Sequence, residues 1–154
     1  MKYLADEFKL SMIRKENLEQ SMNIKVISKY EVKKRLSDID GYESLIDNEE
    51  YVKILSKILD IKIPSGKRTK DFTPYDALIV VQPYEEIDDA EVEDNKIEFV
   101  MLELNANWKV DYYSKDREIL FELKLGKLSY SDAKKEAFLA GVKIPYDIYD
   151  IYYI

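Results

Sequence analysis

The run Leu78-Ile79-Val80-Val81 restricts the fold of this chain more than any other segment. Its consecutive apolar residues, mostly β-branched, are typical of a strand that is buried on both faces of a sheet. Such a strand needs a covering layer on each side, which favours an α/β fold. Further strands are predicted at residues 1–5, 23–27 and 97–104, where apolar residues alternate or run together.

Two patterns predict helices in the first hundred residues. Ser28 and Glu31 have the spacing of a capping box, and the helix that they start is expected to reach residue 38. Asp47 is the predicted N-cap of a second helix. Its apolar residues then recur at helical spacing: Tyr51, Ile54, Leu55 and Ile58.

The last fifty residues combine a predicted hairpin, a short helix and a tyrosine-rich tail. The hairpin joins residues 108–113 to residues 118–125, and the helix spans Ala133–Ala140 after Ser129. The tail repeats Tyr-Asp-Ile with a period of three, which fits neither a clean strand nor a long helix. It can dock in extended form on its own domain or on another subunit, or it can close a sheet within the chain.

These elements predict one α/β domain, with a mixed β-sheet flanked by helices and a C-terminal extension. Residues 1–104 form the expected core, and residues 105–154 form a hairpin, helix and tail that pack on the same domain. The 46% of hydrophobic residues is enough for a core beneath a heavily charged surface. No apolar run approaches the roughly 20 residues of a transmembrane helix, so no membrane association is expected.

Histidine and cysteine are both missing from the 154 residues. Without cysteine the chain can form neither a disulfide framework nor a cysteine-based zinc site. Without histidine it lacks the usual proton-transfer group near neutral pH. No cofactor or metal ion is therefore expected.

Three segments carry a resemblance to a known family: Ser44–Leu55, Leu59–Pro64 and Asp76–Gln82. Together they resemble the viral ring nucleases, small dimeric anti-CRISPR enzymes of archaeal viruses and phages that cleave cyclic tetra-adenylate. The resemblance covers residues 1–104 and is best over residues 44–82. It implies a homodimer and a location in the host cytoplasm.

The chain departs from that family at the positions that matter for catalysis. Asn48 stands where the relatives have their catalytic histidine, and Glu86 stands where they have an arginine. Cleavage of a phosphodiester gains from a proton-transfer group and from cations near the phosphate. We therefore assign no catalytic residue. The alternative is binding or slow cleavage of cyclic tetra-adenylate through Lys67 and Arg68, with Asn48 beside them; a solvated basic loop is the plainer interpretation.

Residues 85–94 contain seven acids and no base, which equals the net charge of −7 of the whole chain. Such a segment is either a solvated loop or a surface that docks on a basic partner, and direct nucleic-acid binding is not expected. We predict a noncatalytic viral accessory protein that acts by protein–protein binding, as an anti-CRISPR inhibitor of a host effector complex. The expected partner is a host protein such as a CRISPR effector subunit. The predicted contact residues are Glu85, Glu86, Asp88, Asp89, Tyr149 and Tyr152.

Overall fold

The strands of the first sheet come from the first 104 residues. A computed structural model describes residues 1–14, 21–67, 71–83 and 97–154. Within them, the strands of this sheet are β1 (Lys2–Ala5), β2 (Met22–Ile27), β3 (Glu43–Ser44), β4 (Ala77–Pro83) and β5 (Ile97–Leu104). Their order is β2-β5-β4-β1-β3, with β1 parallel to β3 and β4, and with β5 antiparallel to β2 and β4. The predicted mixed sheet of an α/β domain is confirmed.

Both faces of the first sheet are covered. The helices α1 (Lys29–Leu36) and α2 (Glu49–Leu59) lie on one face, where they pack on Ile79 and Val81. On the opposite face, Leu78 and Val80 pack against Phe72 and residues around a 3₁₀ turn at Leu10–Met12. The side chains of Leu78–Val81 are at most 2% exposed, which confirms that this run is a strand buried on both faces.

Helix α1 starts and ends close to its predicted limits. The Ser28 Oγ accepts a hydrogen bond from the Glu31 amide at 3.1 Å and caps the helix, as predicted. The last helical residue is Leu36 rather than residue 38. The buried residues Val32 and Leu36 fix the face that the helix turns toward the sheet.

The remaining fifty residues form a second, antiparallel sheet with its own helix. Its strands are β6 (Ala106–Tyr113), β7 (Ile119–Leu128) and β8 (Ile148–Tyr153), in the order β7-β6-β8. Helix α3 (Tyr130–Gly141) begins three residues earlier than predicted and is capped by Ser129. The chain passes from the first sheet to the second at Asn105. The tail is β8, so it closes the sheet of its own chain.

An aromatic cluster joins the two sheets. Its members are Tyr75, Trp108, Tyr130 and Tyr153, and the rings of Tyr75 and Trp108 each lie 5.0–5.8 Å, centroid to centroid, from the other three. Tyr75 precedes β4 of the first sheet, whereas the other three belong to the second sheet and α3. The indole Nε1 of Trp108 donates to the carbonyl of Leu128 at 2.8 Å, so this fully buried ring satisfies its only polar atom. The division into a core and an extension at residue 104 stays a prediction.

Candidate functional site

Asn48 caps helix α2 at the carboxyl ends of the parallel strands. The prediction that Asp47 is the N-cap was wrong by one residue. The Oδ1 of Asn48 accepts hydrogen bonds from the amides of Glu50 and Tyr51, both at 3.1 Å. An asparagine with an extended backbone suits this role because its side chain satisfies amides that have no partner within the helix.

Five acidic residues follow β1 or stand at the start of α2. The Leu45 amide donates to the Leu4 carbonyl at 2.8 Å, which holds the approach to α2 beside the end of β1. We call this set of five carboxylates the acidic edge. Its members are Asp6, Glu7, Asp47, Glu49 and Glu50. Glu7 pairs with Lys9 at 3.1 Å, and Glu49 and Glu50 lie in the first turn of α2, where they oppose the positive end of the helix dipole.

Tyr51 lies on α2 near Asp6 of the acidic edge. Its half-buried ring lies on the first turn of α2 and packs on the core under the helices. Burial raises the pKa of the Tyr51 phenol to about 12, and the nearby Asp6 carboxylate acts in the same direction. Both effects favour the neutral phenol of Tyr51 over the charged phenolate.

Lys67 follows a glycine that is packed tightly against β3. The Gly66 amide donates to the Ile46 carbonyl at 2.8 Å, and a Cβ at Gly66 would overlap the carbonyl oxygen of Ser44. Lys67 itself is exposed. Arg68, its predicted neighbour in a ligand site, lies outside the described residues. Of the predicted basic pair, the structure therefore places only Lys67 near the start of α2.

The predicted acidic contacts also lie outside the described residues: Glu85, Glu86, Asp88 and Asp89. Their flanking residues are described. Pro83 at the end of β4 pairs with Ile97 at the start of β5. Because β4 is parallel to β1, this pair stands at the carboxyl end of β1, on the same side of the sheet as the acidic edge.

The two predicted tail contacts, Tyr149 and Tyr152, both hold β8 on β6. The Tyr152 hydroxyl donates to Asp111 Oδ2 at 2.8 Å. The ring of Tyr149 lies 5.9 Å from that of Tyr112 and 5.8 Å from that of Tyr146, centroid to centroid. Both rings are half-buried, so each still shows part of its surface to solvent. Their role as partner contacts stays a prediction.

Sequence reasoning did not find the charged network on the outer face of the second sheet. Lys109 Nζ lies 3.3 Å from Glu122 Oε1 and 3.7 Å from Asp111 Oδ1. Hydrogen bonding to Tyr152 and then to Glu122 raises the pKa of Lys109. Asp111 is only 4% exposed, and Tyr152 and Lys109 cover it. The sequence did contain a signal for this network: Lys109 and Asp111 are two residues apart on β6, so their side chains point to the same face of the sheet.

A polar cleft between the two sheets was missed as well. It measures about 420 Å³ and is lined by residues that include Lys2, Arg35, Glu103 and Lys134. Glu103 is 3% exposed and accepts hydrogen bonds from the Ser131 hydroxyl at 2.7 Å and from the Ser131 amide at 3.3 Å. Its carboxylate thus stabilises the first turn of α3.

Within residues 1–14, 21–67, 71–83 and 97–154, no three acidic, histidine or cysteine side chains are grouped to hold a metal ion. Among the helices described, none is long and apolar enough to cross a bilayer.

Comparison with known proteins rests on the fold. No family model matches the chain, and no curated protein matches it in sequence. A solved structure does match: B116 of Sulfolobus turreted icosahedral virus, with a TM-score of 0.58. The chain resembles an archaeal-virus protein. The likeness covers 66% of this chain and 97% of B116 at 10% sequence identity. It shows that the two proteins share a fold, and it carries no information about activity.

Proposed function

We propose that this chain is a noncatalytic viral accessory protein that binds a basic surface of a host protein. A CRISPR effector subunit is the expected partner, and inhibition of the effector complex is the expected result. The observation that carries the proposal is the position of Asn48. Its side-chain oxygen accepts hydrogen bonds from two helix amides, and three carboxylates of the acidic edge, Asp47, Glu49 and Glu50, flank it in the sequence.

Charge distinguishes the two classes of ligand. Cyclic tetra-adenylate carries four phosphates, and the carboxylates of the acidic edge repel it. A protein that binds RNA presents a basic surface, which the same carboxylates attract. The seven acids of residues 85–94 lie in the sequence between Pro83 and Ile97, and we include them in the proposed contact surface.

Direct binding to a purified CRISPR effector complex tests this proposal. A variant with lysine at Glu85, Glu86, Asp88 and Asp89 is expected to lose affinity by about tenfold or more. The matched control carries lysine at four exposed acids of the second sheet and α3: Asp116, Glu118, Glu136 and Asp147. It changes the net charge equally and is expected to keep most of the affinity. Equal losses of affinity in both variants, or no loss in the first variant, would contradict the proposal that these four acids contact the partner.

The ring nuclease resemblance supports a second candidate, the binding or slow cleavage of cyclic tetra-adenylate. The Gly66–Ile46 hydrogen bond keeps the exposed Lys67 next to the approach to α2, and the fold is shared with a viral protein. Labelled cyclic tetra-adenylate, incubated with the chain and separated by chromatography, distinguishes the candidates. If the wild type cleaves this ligand and Lys67→Ala does not, the chain is an enzyme, and the proposal of noncatalytic protein binding is wrong.

A further inference from the structure

Strand β7 forms an open edge of the second sheet. It pairs with β6 on one side, and among the described residues no strand pairs with its other side. Most of its ten residues are exposed. An edge of this length presents a row of backbone N–H and C=O groups to an incoming strand.

The regular part of β7 is short and lies between two irregularities. Leu120 and Gly126 have no partner residue on β6, because the register shifts at both places. The stretch between them, Phe121–Leu125, pairs without interruption. Leu123 is its midpoint, so a two-fold axis through Leu123 would leave both irregularities outside the pairing.

The sequence of this stretch complements itself under that two-fold axis. An antiparallel second copy would place its Lys124 opposite Glu122, and its Glu122 opposite Lys124. This arrangement gives Lys124 an oppositely charged partner across the strands, whereas its register partner on β6 is another cation, Lys109. Opposite charges across strands stabilise a pair, whereas like charges destabilise it.

Apolar residues would meet on the other face of the joined sheet. Phe121 and Leu125 would stand opposite each other across the axis, and Leu123 would face its own copy. Phe121 is 46% exposed although it lies on the side of the sheet that α3 covers. The axis keeps the two copies of α3 on one face, where each offers exposed apolar residues: Phe138, Leu139 and Val142.

The opposite edge of the same sheet lacks this complementarity. Strand β8 and its approach carry Asp147 and Asp150, and no lysine or arginine occurs from Ile144 to the end of the chain. Two copies of β8 would therefore place like charges near each other, which discourages pairing at that edge.

We propose that two copies of this chain pair antiparallel through β7, centred on Leu123, and form a continuous six-stranded sheet. The contact belongs to the second sheet, so it does not depend on the proposed partner or on the acidic edge. Two Glu122–Lys124 pairs and the Phe121–Leu125 contacts fix the register of the two copies.

Sedimentation of the full chain over a range of concentrations tests the pairing. The wild type is expected to dimerise. Glu122→Lys and Lys124→Glu each place two like-charged pairs across the axis and are expected to weaken dimerisation by roughly tenfold or more. The exchange variant E122K/K124E restores opposite charges and is expected to dimerise within about threefold of wild type. It shares with Glu122→Lys the loss of the ion pair between Glu122 and Lys109, so it controls for damage within one chain.

Disulfide trapping gives a second measurement that does not depend on charge. The natural chain has no cysteine, so each variant carries a single thiol. Directly opposed residues have Cα atoms about 4.5–5.5 Å apart, within disulfide range. A mixture of Glu122→Cys and Lys124→Cys chains is expected to give a crosslinked dimer, and either variant alone is expected to give far less. A monomeric wild type, a dimer indifferent to E122K, or equal crosslinking of the single variants would each overturn the pairing.

Discussion

At the scale of single residues, the backbone around Gly66 leaves no room for a side chain. A Cβ there would overlap the Ser44 carbonyl oxygen, and backbone cannot move aside as a flexible side chain can. We expect Gly66→Ala to lower the free energy of unfolding by about 2–4 kcal/mol, measured by urea denaturation. Gly126→Ala is the control, because a Cβ at Gly126 meets nothing within 4 Å. A change of similar size in both variants would contradict this account.

Tyr51 links stability to alkaline pH. Its pKa is raised to about 12 in the folded state, from an ordinary value of 10.0. The unfolded chain therefore loses this proton first, so the contribution of Tyr51 to stability is complete below pH 10 and is lost as the pH rises toward 12. Urea denaturation between about pH 9 and pH 11 is expected to show a smaller decline in Tyr51→Phe than in wild type. Equal declines would show that Tyr51 does not contribute.

At the scale of secondary-structure elements, β8 protects the only tryptophan. Trp108 is fully buried and pairs in register with Tyr153. Removal of residues 148–154 takes this neighbour away and opens the edge of β6. We expect the truncated chain to show tryptophan fluorescence shifted to longer wavelength.

Tyr152→Phe serves as the control for the truncation. It removes the hydrogen bond to Asp111 and keeps the strand, so its cost is expected to be about 1–3 kcal/mol with no spectral shift. If the truncated chain kept the wild-type spectrum, β8 would not shield Trp108.

Elements with local signals could be predicted from the sequence. The Leu78–Val81 strand follows from its continuous apolar run, and the cap at Ser28 follows from its hydroxyl group before a helical pattern. Asp47 and Asn48 are equally good cap residues by type, and only the geometry of Asn48 distinguishes them.

Elements that depend on distant partners could not be predicted. The tail has a period of three, which matches no regular element, and it becomes β8 because β6 offers an edge. The Lys109 network and the polar cleft around Glu103 each join residues that are far apart in sequence. A single sequence carries no signal for which of its charged residues meet.

At the scale of the whole molecule, Tyr75 connects the two sheets. Its ring lies 5.3 Å from Trp108 and 5.0 Å from Tyr153. In wild type, tryptophan fluorescence and far-ultraviolet circular dichroism are expected to report one urea transition. Tyr75→Ala removes the connecting ring, and we expect its two transitions to separate. Tyr75→Phe keeps the ring and is expected to behave as wild type; coincident transitions in Tyr75→Ala would show that other contacts couple the sheets.

The pairing of Pro83 with Ile97 has an evolutionary consequence. Since these two residues are antiparallel partners, the two strand ends that residues 84–96 connect lie beside each other in the sheet. Loop length adds little to the free energy of closure, about 0.6 kcal/mol for each doubling. This segment can therefore change in length and charge during evolution without any rebuilding of the sheet.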